Sequence, residues 1–173
     1  MPLDVGINFR ATSGFTTDSA GQTYSLGEAY PVTRGGITFG WTSDNTSRTR
    51  DRVDGTGGTS ANVPRLCGMM FHNDLTGSPY FRVDLPNTGS YTIHCALGDA
   101  SSPQAVDWDF KDTTTALFST TGSTSNQNEF KDATNTVRGS AATWNSSEVG
   151  VTHTFATTQL RVYLAGSSGN RCI

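Results

Sequence analysis

At 173 residues the chain has the length of a single domain, 1–173, with enough material to bury a full core. Charged residues make up 16%, the net charge is -3 and the isoelectric point lies near 5.5; a nucleic-acid partner would need a basic excess that is absent here. No apolar run reaches the roughly 18 residues of a membrane-spanning helix, and Thr, Ser, Gly and Asn replace the missing charge, a balance suited to strands joined by many turns.

The chain starts with Met1-Pro2-Leu3-Asp4 and runs straight into a first strand over about 4–10, with Val5, Ile7 and Phe9 inward. There is no basic start followed by an apolar stretch, so no secretory leader is visible, which fits either a leader already removed or a protein used without secretion. A long polar stretch leads to Pro31, anchored by Phe15, Tyr24, Leu26 and Tyr30. Gly35-Gly36 opens an alternating strand, Ile37-Thr38-Phe39-Gly40-Trp41, whose glycines suggest a bulge or a close backbone approach. Arg48, Arg50 and Arg52 then fall at alternate positions, so they share a face if this segment is extended.

The middle of the chain carries the clearest pattern. Arg65 to Phe71 is short and apolar. Tyr80 to Leu85 places Phe81, Val83 and Leu85 on one face and Arg82 and Asp84 on the other; Tyr91 to Leu97 places Tyr91, Ile93, Cys95 and Leu97 inward. The turn Pro86-Asn87-Thr88-Gly89-Ser90 separates the last two, which predicts an antiparallel pair central to a sheet. Further strands are expected at Val106 to Phe110, Ala116 to Phe118, Thr152 to Phe155 and Leu160 to Leu164, with a loop or weak strand between Phe130 and Val137. About nine to ten short strands, no helical period and no internal repeat argue an all-β fold, an antiparallel β-sandwich of the jelly-roll kind.

Three cysteines, Cys67, Cys95 and Cys172, are too few for a disulfide scaffold. Cys95 reads as a buried thiol, with a Cys67–Cys95 bridge left open by the spacing. His72, His94 and His153 show no metal-ligand spacing with them.

The order Ile7-Asn8-Phe9, Gly40-Trp41, Arg50-Asp51-Arg52, Arg65-Leu66, Phe81-Arg82-Val83-Asp84-Leu85-Pro86, Gly89-Ser90-Tyr91-Thr92 and Leu97-Gly98-Asp99 is similar to the malectin-like and galactose-binding-like β-sandwich modules found attached to polysaccharide-active enzymes. The resemblance spans roughly 4–165 and implies a non-catalytic, often carbohydrate-binding domain. Two departures stand out. Such modules sit in larger secreted enzymes, and they close the sandwich with a last strand near the first, where this chain offers only Arg171-Cys172-Ile173. Stand-alone domains of this kind resemble small virion proteins of tailed bacteriophages. The resulting expectation is a structural or accessory protein of a phage particle, located in the virion, with other virion subunits as partners in a homo-oligomer and with glycans as further contacts. The alternative is a secreted carbohydrate-binding module.

Enzyme signatures are absent: no G-x-S-x-G, H-E-x-x-H, phosphate-binding loop or dinucleotide fingerprint occurs. Asp107 and Asp109 would share a strand face, a spacing open to paired-carboxylate chemistry but equally to an ordinary wet face. Sugar binding needs flat apolar surface and planar polar groups; the candidates are Tyr30, Trp41, Tyr80 and Trp144 with Arg50, Asp51 and Arg52. Trp41 and Trp108 both fall on the presumed inward face. No cofactor is expected; a structural calcium ion would suit the oxygen-rich loops near Asp4 or Asp99, without any EF-hand spacing to support it.

Overall fold

The computed structural model describes residues 5–9, 22–51, 68–72, 79–99, 102–125, 129–138, 149–165 and 171–172. The fold is all-β and sandwich-like. The described strands are β1 (Gly6–Phe9), β2 (Gln22–Ser25), β3 (Val32–Arg34), β4 (Ile37–Trp41), β5 (Thr49–Asp51), β6 (Gly68–His72), β7 (Tyr80–Asp84), β8 (Gly89–Ile93), β9 (Leu97–Asp99), β10 (Trp108–Asp112), β11 (Thr115–Thr120), β12 (Glu129–Lys131), β13 (Val151–Phe155), β14 (Gln159–Leu164) and β15 (Arg171–Cys172). The one helical element among the described residues is a 3-10 turn, Thr46–Arg48.

One antiparallel sheet of six strands, in the order β11-β10-β14-β7-β4-β3, forms the larger layer. The smaller antiparallel sets are β13-β8, β12-β9 and β15-β6-β5. The pair β1-β2 is parallel, an exception to the expected antiparallel plan.

Alternation explains the core. Ile37, Phe39 and Trp41 of β4, Phe81 and Val83 of β7, Trp108 and Phe110 of β10 and Val162 of β14 point inward from the large sheet. Phe9 of β1, Met70 of β6 and Leu97 of β9 meet them from the smaller sheets. Trp41 touches Phe9, Phe81 and Trp108 at ring-centroid distances of 6.3, 5.3 and 6.4 Å.

The strands around the central turn have the expected faces but different partners. β7 and β8 do not pair with each other: β7 lies between β14 and β4, and β8 pairs with β13. The turn at 85–88 therefore carries the chain from one sheet to another, and the turn at 156–158 does the same between β13 and β14. Side-chain alternation states which face is buried and carries no information on which strand lies alongside.

The run from Tyr91 to Leu97 is also broken, since hydrogen-bonded pairing stops at Ile93 and resumes at Leu97. Ile93 and Cys95 still pack on the core, but Cys95 is half-buried and not buried as expected; Cys67 lies outside the described residues. The strand count exceeds the expected nine or ten because β2, β3, β5, β12 and β15 have two to four residues each, too few to show a period. In β2 the inward residues are Thr23 and Ser25, both buried and both polar. The C-terminal residues also find a place: Arg171 and Cys172 pair with His72 and Phe71 of β6.

Candidate functional site on the outer face of the large sheet

The alternation that buries Phe81, Val83, Phe110 and Val162 sends their neighbours outward. Tyr80, Arg82 and Asp84 emerge from β7, Gln159, Arg161 and Tyr163 from β14, and Asp109 and Lys111 from β10; all are half-buried. Register sets them in rows. Tyr80 lies opposite Tyr163, which lies opposite Asp109. One step along, Arg82 lies opposite Arg161, which lies opposite Lys111.

The rows lean on each other. The Tyr80 and Tyr163 rings are 4.7 Å apart, tilted by 36°. The Arg161 guanidinium lies 4.9 Å from the Tyr80 centroid and the Lys111 ammonium 4.7 Å from that of Tyr163, distances at which a cation is drawn to a ring face. The surface thus offers tyrosine rings already bearing cations, rather than bare stacking faces.

Tyr30 joins this face from outside the sheet. The segment 28–30 runs beside the end of β4, with Tyr30 N–H donating to the Trp41 carbonyl at 2.7 Å and Trp41 N–H to that of Glu28 at 2.9 Å. Gly40, at φ +148°, makes this approach possible: a Cβ there would stand 2.6 Å from both N and Cα of Tyr30. The Tyr30 ring then lies 4.2 Å from the Arg82 guanidinium, and its hydroxyl donates to Asp84 Oδ2 at 2.8 Å. Arg82 Nε donates to the other oxygen, Asp84 Oδ1, at 2.6 Å. The hydrogen bond to Asp84, then burial and the Asp84 charge, push the Tyr30 phenol above its ordinary value of 10.0.

Of the residues expected from sequence to bind a ligand, Tyr30 and Tyr80 come together here. Trp41 does not: it is 0% exposed, in the middle of the core, and has no face to offer a sugar. Trp108 is equally buried. Arg50 and Asp51 belong to β5, paired with Met69 and Gly68 in a different sheet. Arg52 and Trp144 lie outside the described residues, as does Asp4. Sequence reasoning placed Arg82, Arg161 and Tyr163 on the outward side of their strands but not in a site, because the site exists only through the β7-β14-β10 register.

Asp107, Asp109 and Asp99 accept hydrogen bonds of their own. Asp107 accepts from Gly122 N–H at 2.7 Å, and Asp109 accepts from the Ser119 hydroxyl at 2.5 Å. Buried Asp99 accepts from the Ser102 hydroxyl at 3.3 Å. Among the described residues no three His, Cys, Asp or Glu side chains gather as a metal-ligand set, and no helix is long and apolar enough to cross a membrane. His153 stacks on Phe118, with centroids 5.8 Å apart. The chain matches no family model, no curated protein sequence and no solved structure.

Proposed function

We propose that this protein is a non-enzymatic recognition module that takes a glycan on the outer face of its six-stranded sheet. The carrying observation is that Tyr30, Tyr80 and Tyr163 share one face with Arg82, Arg161 and Lys111. Ring edges and hydroxyls supply apolar and polar contact for a pyranose, and the guanidinium groups supply planar donors for its oxygens. The test is a glycan array followed by calorimetry on the hits. Tyr80→Ala and Tyr163→Ala should each weaken binding about 10-fold or more, the scale of a lost anchor side chain. An array without hits would sink the reading.

A second reading, a structural or accessory subunit of a bacteriophage particle, is favoured by β11. This six-residue strand ends the large sheet on one side among the described residues, with Thr115, Ala116 and Ser119 exposed. An edge of that length invites pairing with another copy or another subunit. Light scattering over a concentration series tests it: a closed oligomer dispersed by Ala116→Pro supports self-assembly through this edge, and a monomer at all concentrations that binds no particle component counts against it. The two readings are compatible in a particle protein that also contacts cell-surface glycans.

A further inference from the structure

The cation row has a chemistry of its own. Arg82, Arg161 and Lys111 stand on three adjacent strands in direct register, with neighbouring Cβ atoms about 5 Å apart. Like charges set opposite one another cost stability, so the arrangement is not explained by folding. The two outer cations are compensated on their own strands: Arg82 Nε lies 2.6 Å from Asp84 and Lys111 Nζ 3.8 Å from Asp109.

Arg161, in the centre, is held by a neutral group. Its Nε and Nη2 donate to Gln159 Oε1 at 3.1 and 2.7 Å. Gln159 fixes the plane of the guanidinium without cancelling its charge, and Tyr80 supports it from the side. The Nη1–Nη2 edge remains, and Arg82 has its Nη groups beyond the Nε used by Asp84. A planar fork fixed in orientation between two further cations is suited to a carboxylate, which it meets with two parallel charge-assisted hydrogen bonds.

We infer that the outer face takes an acidic glycan, with a carboxylate of the uronic-acid type seated on the Nη1–Nη2 edge of Arg161 between Arg82 and Lys111. This rests on the glycan-binding reading above and names the class of sugar. A polynucleotide fits less well: Asp84 and Asp109 flank the row, and the net charge of the chain is -3.

The test titrates the full chain with polygalacturonate, a neutral glucan of matched length, a heparin-type sulfated glycan and single-stranded DNA. Polygalacturonate should bind most tightly and weaken as salt screens the row. Arg161→Gln should lower its affinity about 10- to 100-fold, the worth of a charge-assisted pair, with the circular dichroism spectrum unchanged and a smaller loss for the neutral glucan. Lys111→Gln, which leaves the Gln159 contact in place, should lower it in the same direction and serves if Arg161→Gln does not fold. Equal binding of glucan and polygalacturonate, indifferent to both variants, overturns the acidic assignment and leaves the glycan reading standing. Tighter binding of the sulfated glycan or of DNA through Arg161 overturns the carboxylate. Binding of no glycan at all removes both.

Discussion

The backbone N–H of Leu85 donates to the carbonyl of Thr158 at 2.9 Å, joining the two turns by which the chain changes sheets. Asp112 fastens the second turn from beside it. Its Oδ2 accepts from Ala156 N–H at 2.7 Å and Thr157 N–H at 3.3 Å, and its Oδ1 accepts from the Thr157 hydroxyl. Asp112→Ala removes a buried carboxylate that holds two backbone N–H groups and a hydroxyl of an exposed turn, so a loss of about 1–3 kcal/mol is expected. A urea titration should show a lower midpoint with an unchanged slope. A loss within about 0.5 kcal/mol, the range of an ordinary surface change, would refute the clamp.

Gly40 is the second position to test. An added methyl group would meet backbone atoms of Tyr30 at 2.6 Å, and neither backbone can yield without breaking the bonds between Tyr30, Glu28 and Trp41. Gly40→Ala should cost about 1–3 kcal/mol through strain and lost contact. It should also pull Tyr30 off Arg82 and so weaken any ligand bound there. Full stability with unchanged binding would show that the segment 28–30 is not seated as described.

Acid should weaken the fold through Asp112 and Asp132. Burial works to raise both carboxyls, but the hydrogen bonds outweigh it. These come from Thr157 and the N–H groups of Ala156 and Thr157 to Asp112, and from Thr134, Arg138 and the N–H groups of Thr136 and Thr134 to Asp132, leaving both below 3.8. A folded-state value below the unfolded one means the stabilisation is present above the unfolded value and is lost as pH falls through the folded one. Thermal midpoints should therefore hold from about pH 7 to 5 and decline below about 4. In Asp132→Asn the whole curve should sit lower and its acid limb should be shallower. An acid limb as steep as in the parent would remove Asp132 from the account.

At the alkaline end, Tyr30 provides a spectroscopic check. Its phenol is raised above 10.0 chiefly by donating to Asp84. A raised folded value contributes stability that is complete below the unfolded value and lost as pH climbs through the folded one. Ultraviolet titration of the phenolates should contain a late component that Tyr30→Phe removes and Asp84→Ala moves down toward 10.0. Gly40→Ala should act on it as Asp84→Ala does. A titration curve that Tyr30→Phe leaves unchanged above 10 would contradict the Tyr30–Asp84 bond.

The faces of the strands were legible in the sequence, and the partners of the strands were not. Phe81, Val83, Leu85, Phe110 and Val162 are buried where alternation puts them. Yet the same residues are compatible with a β7-β8 hairpin, because a short turn with Pro86 and Gly89 serves an inter-sheet crossing as well as a reversal within one sheet. The outer-face site failed to show for the same reason. Arg82 and Arg161 are 79 positions apart in the chain (161 minus 82), and each alone reads as the solvated side of a strand. Trp41 misled in the other direction, since an aromatic side chain suits a sugar face and a core equally, and only its inward position on β4 decides between them.

The place of β14 sets an order of events for folding. Among the described strands it is the second last in the chain, yet it lies between β10 and β7 in the large sheet. Until it is made, β11-β10 and β7-β4-β3 are separate ribbons, each with an open side, and the apolar faces of Phe81 and Phe110 have no common floor. On a ribosome these ribbons wait until 159–164 has been made, which leaves their open sides exposed to wrong partners. Arg161 arrives on that same closing strand, so the binding face comes into being at the moment the sheet is completed, and a partly folded chain cannot display it.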